Sequence, residues 1–300
     1  MNVLDFYGTQ SPITEPDAYA KRLEDLPRDI PGLCRAARGL VFAIDAEELY
    51  GYRIPQDRRR EVDTRYVEKI LGRIIQLDDR PLSLPRTLEK RFVGCDRDRA
   101  VLICAVLRHR GIPARIRDGF APYISGFGPG FTVRHVALEY WNSDEARWCL
   151  ADPGQDDLLI ARNRISFDPT DIPRDRFLVA GRVWEMCRRG EARWDDFGEY
   201  PDPPLKGAWF IRNTLVRDCA FLNRIEVLLW DSWGSLMVPD PEPSERELAL
   251  LDELAALTQQ GHEAFEKLRT LYEKEPELKV PPVVTCYSPV AEPTEVRLAI

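Results

Sequence analysis

Histidine is scarce in this chain: His109, His135 and His262 are the only three in 300 residues. Any chemistry that needs an imidazole therefore has few places to find one. Metal-ligand spacing is missing as well. No CxxC, no HExxH and no carboxylate cluster occurs, so neither a metal nor a cofactor is expected. There is no basic excess either: 42 Lys and Arg against 50 Asp and Glu give a net charge of -8, which argues against nucleic acid and anionic membranes as partners. No apolar run approaches membrane-spanning length, and the opening MNVLDFYGTQ has neither a basic n-region nor an apolar h-region. The expectation is a cytoplasmic location. Seven cysteines, an odd number without regular spacing between Cys34 and Cys286, argue against a disulfide framework and for reduced thiols.

What is present is an ordinary globular composition, 44% hydrophobic and 31% charged, in a chain long enough for one large core or two of usual size. The pattern is organised around RFVGCDRDRAVLICAVLRHRG, residues 91–111. Ala100 to Leu107 run apolar without a break, Arg108, His109 and Arg110 put positive charge in a last turn, and Gly111 suits a left-handed C-cap. This predicts a buried helix with its C-terminus toward water and Cys95 at its first turn. A thiol there lies near unpaired N–H groups and the positive end of the helix dipole, which favour thiolate and offer a donor to an oxyanion. Asp96 and Asp98 oppose that effect while Arg97 and Arg99 assist it, and the sequence leaves open which pair faces the sulfur. The plain alternative for Cys95 is a small buried hydrophobe.

Upstream, residues 16–26 and 30–44 read as short helices between proline turns, and residues 58–78 as one amphipathic helix with Val62, Tyr66, Ile70 and Ile74 at i+4 spacing. Past Gly111 the period becomes two. Ile112, Ala114 and Ile116 alternate with Pro113, Arg115 and Arg117, a strand with one wet face; TVRHVALEYW is a second strand with Val133, His135, Ala137 and Glu139 on one side; ARWCLADP is a third. A helix followed by antiparallel strands gives an α+β layout. Between the first two strands, SGFGPGF lacks G-x-G-x-x-G spacing and is read as a mobile loop covering a site. Residues 174–189 and 205–234 are expected to be helical, with Pro201 to Pro204 interrupting them, and Glu139 is read as the partner of an arginine. Ser244 with Glu247 forms a capping-box pattern ahead of a leucine stripe, a second helix runs from about His262 to Lys274, and the tail from Pro281 is extended. The expected organisation is an N-terminal helical layer (1–59), a catalytic core (60–200) and a mostly helical extension (201–300), whose helices dock on the core or make a homo-oligomer.

Of the three histidines, His109 is about 20 Å along the same helix from Cys95 and His262 opens an exposed, charged helix. His135, mid-strand, remains. Asp152 follows the next strand, placed to accept from the second ring nitrogen and fix the tautomer. At GCDRDRAVLICAVLRHRGIPARIRDGF, HVALEYW and RWCLADP the sequence resembles the transglutaminase-like superfamily of cysteine enzymes, over about residues 60–160. The resemblance implies a cysteine-proteinase-like α+β core, a central helix on an antiparallel sheet, with further helices at both ends. It implies Cys95 as nucleophile, His135 as base and then acid, and Asp152 as orienting group. The family's upstream oxyanion donor, often Trp, has no counterpart, since no Trp precedes Trp141; Gln76 is the candidate substitute. The activity so implied is attack on an amide-, peptide- or acyl-bearing substrate through a Cys95 thioester. Hydrolysis comes first, amide-forming acyl transfer to an amine is the alternative, and a non-catalytic peptide- or partner-binding module on the same fold is the second alternative.

Overall fold

Capping chemistry decides where the central helix begins. In the computed structural model, which describes residues 2–200, 205–260 and 262–300, this helix spans Asp96–His109. Cys95 and Asp98 form a capping box at its start, and Arg108 and His109 oppose the dipole at its end. Every residue from Ala100 to Arg108 is buried, because helices and sheet cover it on all sides. A helix so enclosed needs no polar face.

Two short strands lead into it. β1 (Val41–Ala43) and β2 (Phe92–Gly94) pair in parallel, and β2 delivers the chain to Cys95. β3 (Ala114–Ala121) and β4 (Thr132–Asn142) are antiparallel, with Gly119 opposite His135. β5 (Arg147–Ala151) runs antiparallel along the far edge of β4 as far as Leu138. β6 (Leu178–Val179) pairs with β3, and β7 (Phe197–Gly198) lies parallel to β4 at Thr132 and Val133. The far edge of β4 is therefore unpaired between residues 134 and 137, and the N-terminus of the central helix docks into this gap. β8 (Asp231–Ser232), β9 (Val283–Cys286) and β10 (Thr294–Arg297) form a separate antiparallel sheet, so the extended tail is paired.

The expected wet face of β3 is dry. Arg115 and Arg117 are each 2% exposed, since Glu139 and Asp218 neutralise them and the helix Ala208–Leu222 covers the strand. The single helix expected over 58–78 is two pieces, a 3-10 helix Gln56–Asp63 and an α-helix Val67–Leu77, divided by the extended backbone of Tyr66. Helix Ala208–Leu222 stops well short of residue 234, where Asn223 caps it and Arg224 turns left-handed at φ 60. The helix expected over 174–189 is confined to Ala180–Arg188. The Ser244–Glu247 capping box opens Glu245–Gln259 as expected, and Phe265–Lys274 follows. The expected interruption at Pro201 to Pro204 lies outside the described residues.

One apolar core takes residues from Ile13 to Leu298, so N-terminal, central and C-terminal segments pack together. No helix among the described residues is long and apolar enough to cross a membrane.

Candidate functional site

Successive residues of a helix point about 100° apart, so two neighbours in a first turn cannot both face the same strand. Here Cys95 and Asp96 divide the directions between them. The backbone N–H of Cys95 donates to Asp98 Oδ2 at 2.9 Å, and the Cys95 side chain caps the Asp98 N–H, against the buried carboxylate. Gly94 makes room for this fold-back, because a Cβ there would lie 2.6 Å from Asp98 Oδ2. Asp96 faces the other way, into the gap in β4. Its Oδ2 accepts the N–H of Val136 at 2.8 Å and lies 3.1 Å from His135 Nδ1.

The other ring nitrogen, His135 Nε2, is 2.9 Å from Asp152 Oδ2. The structure thus joins His135 and Asp152, as expected, but the group opposite them on the imidazole is the Asp96 carboxylate. Among the described residues no hydrogen bond or ion pair links Cys95 to His135. Asp152 Oδ2 also accepts from Tyr123 Oη at 2.9 Å and Gln155 Nε2 at 2.8 Å, while Oδ1 accepts from the Gly154 N–H at 2.8 Å. With that oxygen so crowded, the Nε2–H does not point along the contact, which is an ion pair rather than an aligned hydrogen bond.

Charge follows geometry. Burial alone would lower the basicity of His135, but the Asp152 carboxylate and then Asp96 outweigh it and lift the imidazole to about 10. Burial works against ionised Asp96, yet the Arg134 guanidinium and His135 hold its carboxyl well below the usual range. Asp152 is likewise held low, against burial, by His135, Gln155 and the Gly154 N–H. Burial pushes the Cys95 thiol up, and the charges of Asp98 and Asp96 push further than Arg97 and Arg134 pull back. Arg97 is spent elsewhere: it pairs with Asp98 at 2.7 Å and donates to the carbonyls of Arg65 and Glu226. At neutral pH the site holds a protonated imidazole between two carboxylates, beside a thiol that keeps its proton.

Other residues singled out in the sequence fall elsewhere. Gln76 is exposed and accepts from Arg73 Nη1 at 2.7 Å. Glu139 is 1% exposed and pairs with Arg115 at 2.6 Å and with Arg174, in keeping with its reading as an arginine partner. His262 meets Trp141 edge to face. The SGFGPGF loop has Gly126, Gly128 and Gly130 at positive φ, packs Phe127 on Phe131 and Tyr200, and is separated from Tyr123 by Ile124 alone. Sequence reasoning missed Asp96 as the partner of the imidazole, and missed Tyr123 and Gln155. Gln155 alone left a local sign, standing three residues after Asp152 in a proline-glycine turn.

A buried helix whose first turn meets a histidine on a curled antiparallel sheet, with an aspartate after the next strand, gives a mixed helix and sheet architecture consistent with an α+β transglutaminase-like fold. Residues 59–153 match the transglutaminase-like superfamily, a segment holding Cys95, Asp96, His135 and Asp152. No curated protein and no solved structure matches the chain.

Proposed function

We propose that this chain is a transglutaminase-like binding module, which holds a peptide- or amide-bearing partner at the N-terminus of the central helix without forming a thioester. One observation carries the reading: Asp96 Oδ2, rather than a sulfur, stands 3.1 Å from His135 Nδ1. An imidazole that already holds its proton cannot take one from a nucleophile, and a thiol with raised pKa is a poor nucleophile at neutral pH. The donor left for a carbonyl oxygen is Arg134 Nη1, buried beside the ring and without a hydrogen bond of its own.

Alkylation of the native protein with iodoacetamide, followed by mass mapping, tests this. Cys95 should react more slowly than free cysteine at pH 8, and Cys95→Ala should leave retention of a mixed peptide pool on the immobilised protein unchanged. Rapid alkylation of Cys95, or an acyl adduct on it, would count against the module.

A second reading is the cysteine enzyme itself. Cys95 caps the positive end of a 14-residue helix, which favours it. In that case Cys95 attacks an amide carbon, His135 passes the proton to the leaving amine, and the thioester is taken by water in a hydrolase or by an amine in an acyltransferase. That chemistry requires the first turn to rotate so that the sulfur replaces Asp96 at the imidazole.

A further inference from the structure

We propose that Asp96 occupies the nucleophile's seat, so that the remaining parts of a thiol site are in place around it and a single Asp96→Cys change installs acyl chemistry. This rests on the binding-module reading and goes further, because it assigns the missing function to one position. Everything that faces Asp96 is what a nucleophile would need. His135 Nδ1 is at 3.1 Å, and its other nitrogen is held by Asp152, itself fixed by Tyr123, Gln155 and Gly154. The residue opens a 14-residue helix, at N1.

Arg134 supplies a second, independent sign. It is 7% exposed, its Nη1 has no hydrogen-bond partner, and that nitrogen lies 3.7 Å from both Asp96 Oδ2 and Asp118 Oδ1. Asp118 Oδ1 is itself without a hydrogen bond. A buried guanidinium nitrogen that ion-pairs loosely with the residue in the seat, with no hydrogen bond of its own, leaves a cationic donor beside negative charge formed there. Cys95 does not compete for the position, since its side chain and backbone N–H are both engaged with Asp98.

Sulfur is one bond nearer its Cβ than Asp96 Oδ2 but has a larger radius, so an introduced thiol reaches Nδ1 at ordinary S···N contact. As a thiolate it can also accept the Val136 N–H that Asp96 now accepts. In the reaction with p-nitrophenyl acetate the introduced thiol gives its proton to His135 Nδ1, and the sulfur bonds to the carbonyl carbon. The C–O bond breaks to release p-nitrophenolate, His135 gives its proton to solvent, and water then cleaves the thioester to acetate and a second proton, restoring the thiol.

The test compares full-length Cys95→Ala with Cys95→Ala/Asp96→Cys, so that only position 96 differs. The double variant should react with iodoacetamide at pH 6.5 about tenfold faster than free cysteine, and should release a burst of p-nitrophenolate with the acetyl group mapped to position 96. Adding His135→Ala should abolish both. A folded double variant whose thiol reacts no faster than free cysteine overturns the inference. Should that variant not fold, nitrogen NMR of the native protein decides: both ring nitrogens of His135 should carry protons at pH 7, and the Nδ1 signal should move in Asp96→Asn. A neutral ring, or a ring indifferent to Asp96→Asn, overturns the inference too. Failure here with Cys95 still unreactive leaves the binding module standing, whereas fast alkylation of native Cys95 removes that reading instead.

Discussion

The two carboxylates around His135 make the stability of the fold depend on pH between neutrality and the alkaline range. The ring has an unfolded pKa of about 6.5 and is lifted in the native state to about 10. Between these values the native chain holds one more proton than the unfolded chain, so stability is complete below about pH 6.5 and declines as pH rises. From pH 6.5 to 8.5 the loss is about 2 kcal/mol, at 1.36 kcal/mol per unit once the unfolded ring is neutral. The seven buried thiols, half ionised in the unfolded chain at about pH 8.5, lower stability in the upper part of the same window, but equally in the native sequence and in a variant at His135, so they cancel in a difference. The assay is urea unfolding at closely spaced pH values for the native sequence and for His135→Gln. The difference between the two stabilities should fall by about 2 kcal/mol across the window. A difference that stays level would refute a protonated, doubly paired ring, and with it the case against His135 as a resting base. The acid side has the opposite sign. Asp96 and Asp152 have depressed native pKa values, so what they contribute is present above the ordinary carboxylate range and is lost as pH falls below it.

Three further outcomes are expected. Asp218→Ala strips Arg117 of two hydrogen bonds and the Asp118 N–H of its acceptor, all inside the core, and should cost about 3–5 kcal/mol in urea unfolding. Gly181→Ala puts a Cβ 2.2 Å from Thr258 Oγ1 and 2.6 Å from the Ala255 carbonyl, so helices Ala180–Arg188 and Glu245–Gln259 must separate; a loss of about 1–3 kcal/mol by calorimetry is the expectation. Tyr123→Phe removes one donor from Asp152 Oδ2 and should lower stability by about 1 kcal/mol; no change would mean that the hydroxyl is satisfied by water instead.

Much of the scaffold was legible because its signals are local. Ala100 to Leu107 read as a buried helix from its length and end charges, Val133 to Glu139 as a strand from its alternation, and Ser244 with Glu247 as a helix start from one reciprocal cap. The site was legible only in part. His135 and Asp152 could be matched because one lies mid-strand with its facing set by parity and the other directly follows the next strand. The rotation of the central helix has no such marker. With every side of residues 100–108 buried, no polar stripe tells whether position 95 or position 96 faces β4. The burial of Arg115 and Arg117 was hidden for a different reason: their partners, Glu139 and Asp218, lie 24 and 101 residues away, and an arginine in a strand looks solvated until such a partner is found.

The short interval where one edge of β4 has no strand beside it carries a further implication. A single carboxylate oxygen there accepts the Val136 N–H and also helps to set the charge of the ring next to it. Architecture and electrostatics share one atom, so drift at this position cannot alter one while sparing the other. Among natural or designed variants, tolerance to heat and the protonation of that ring should rise and fall together.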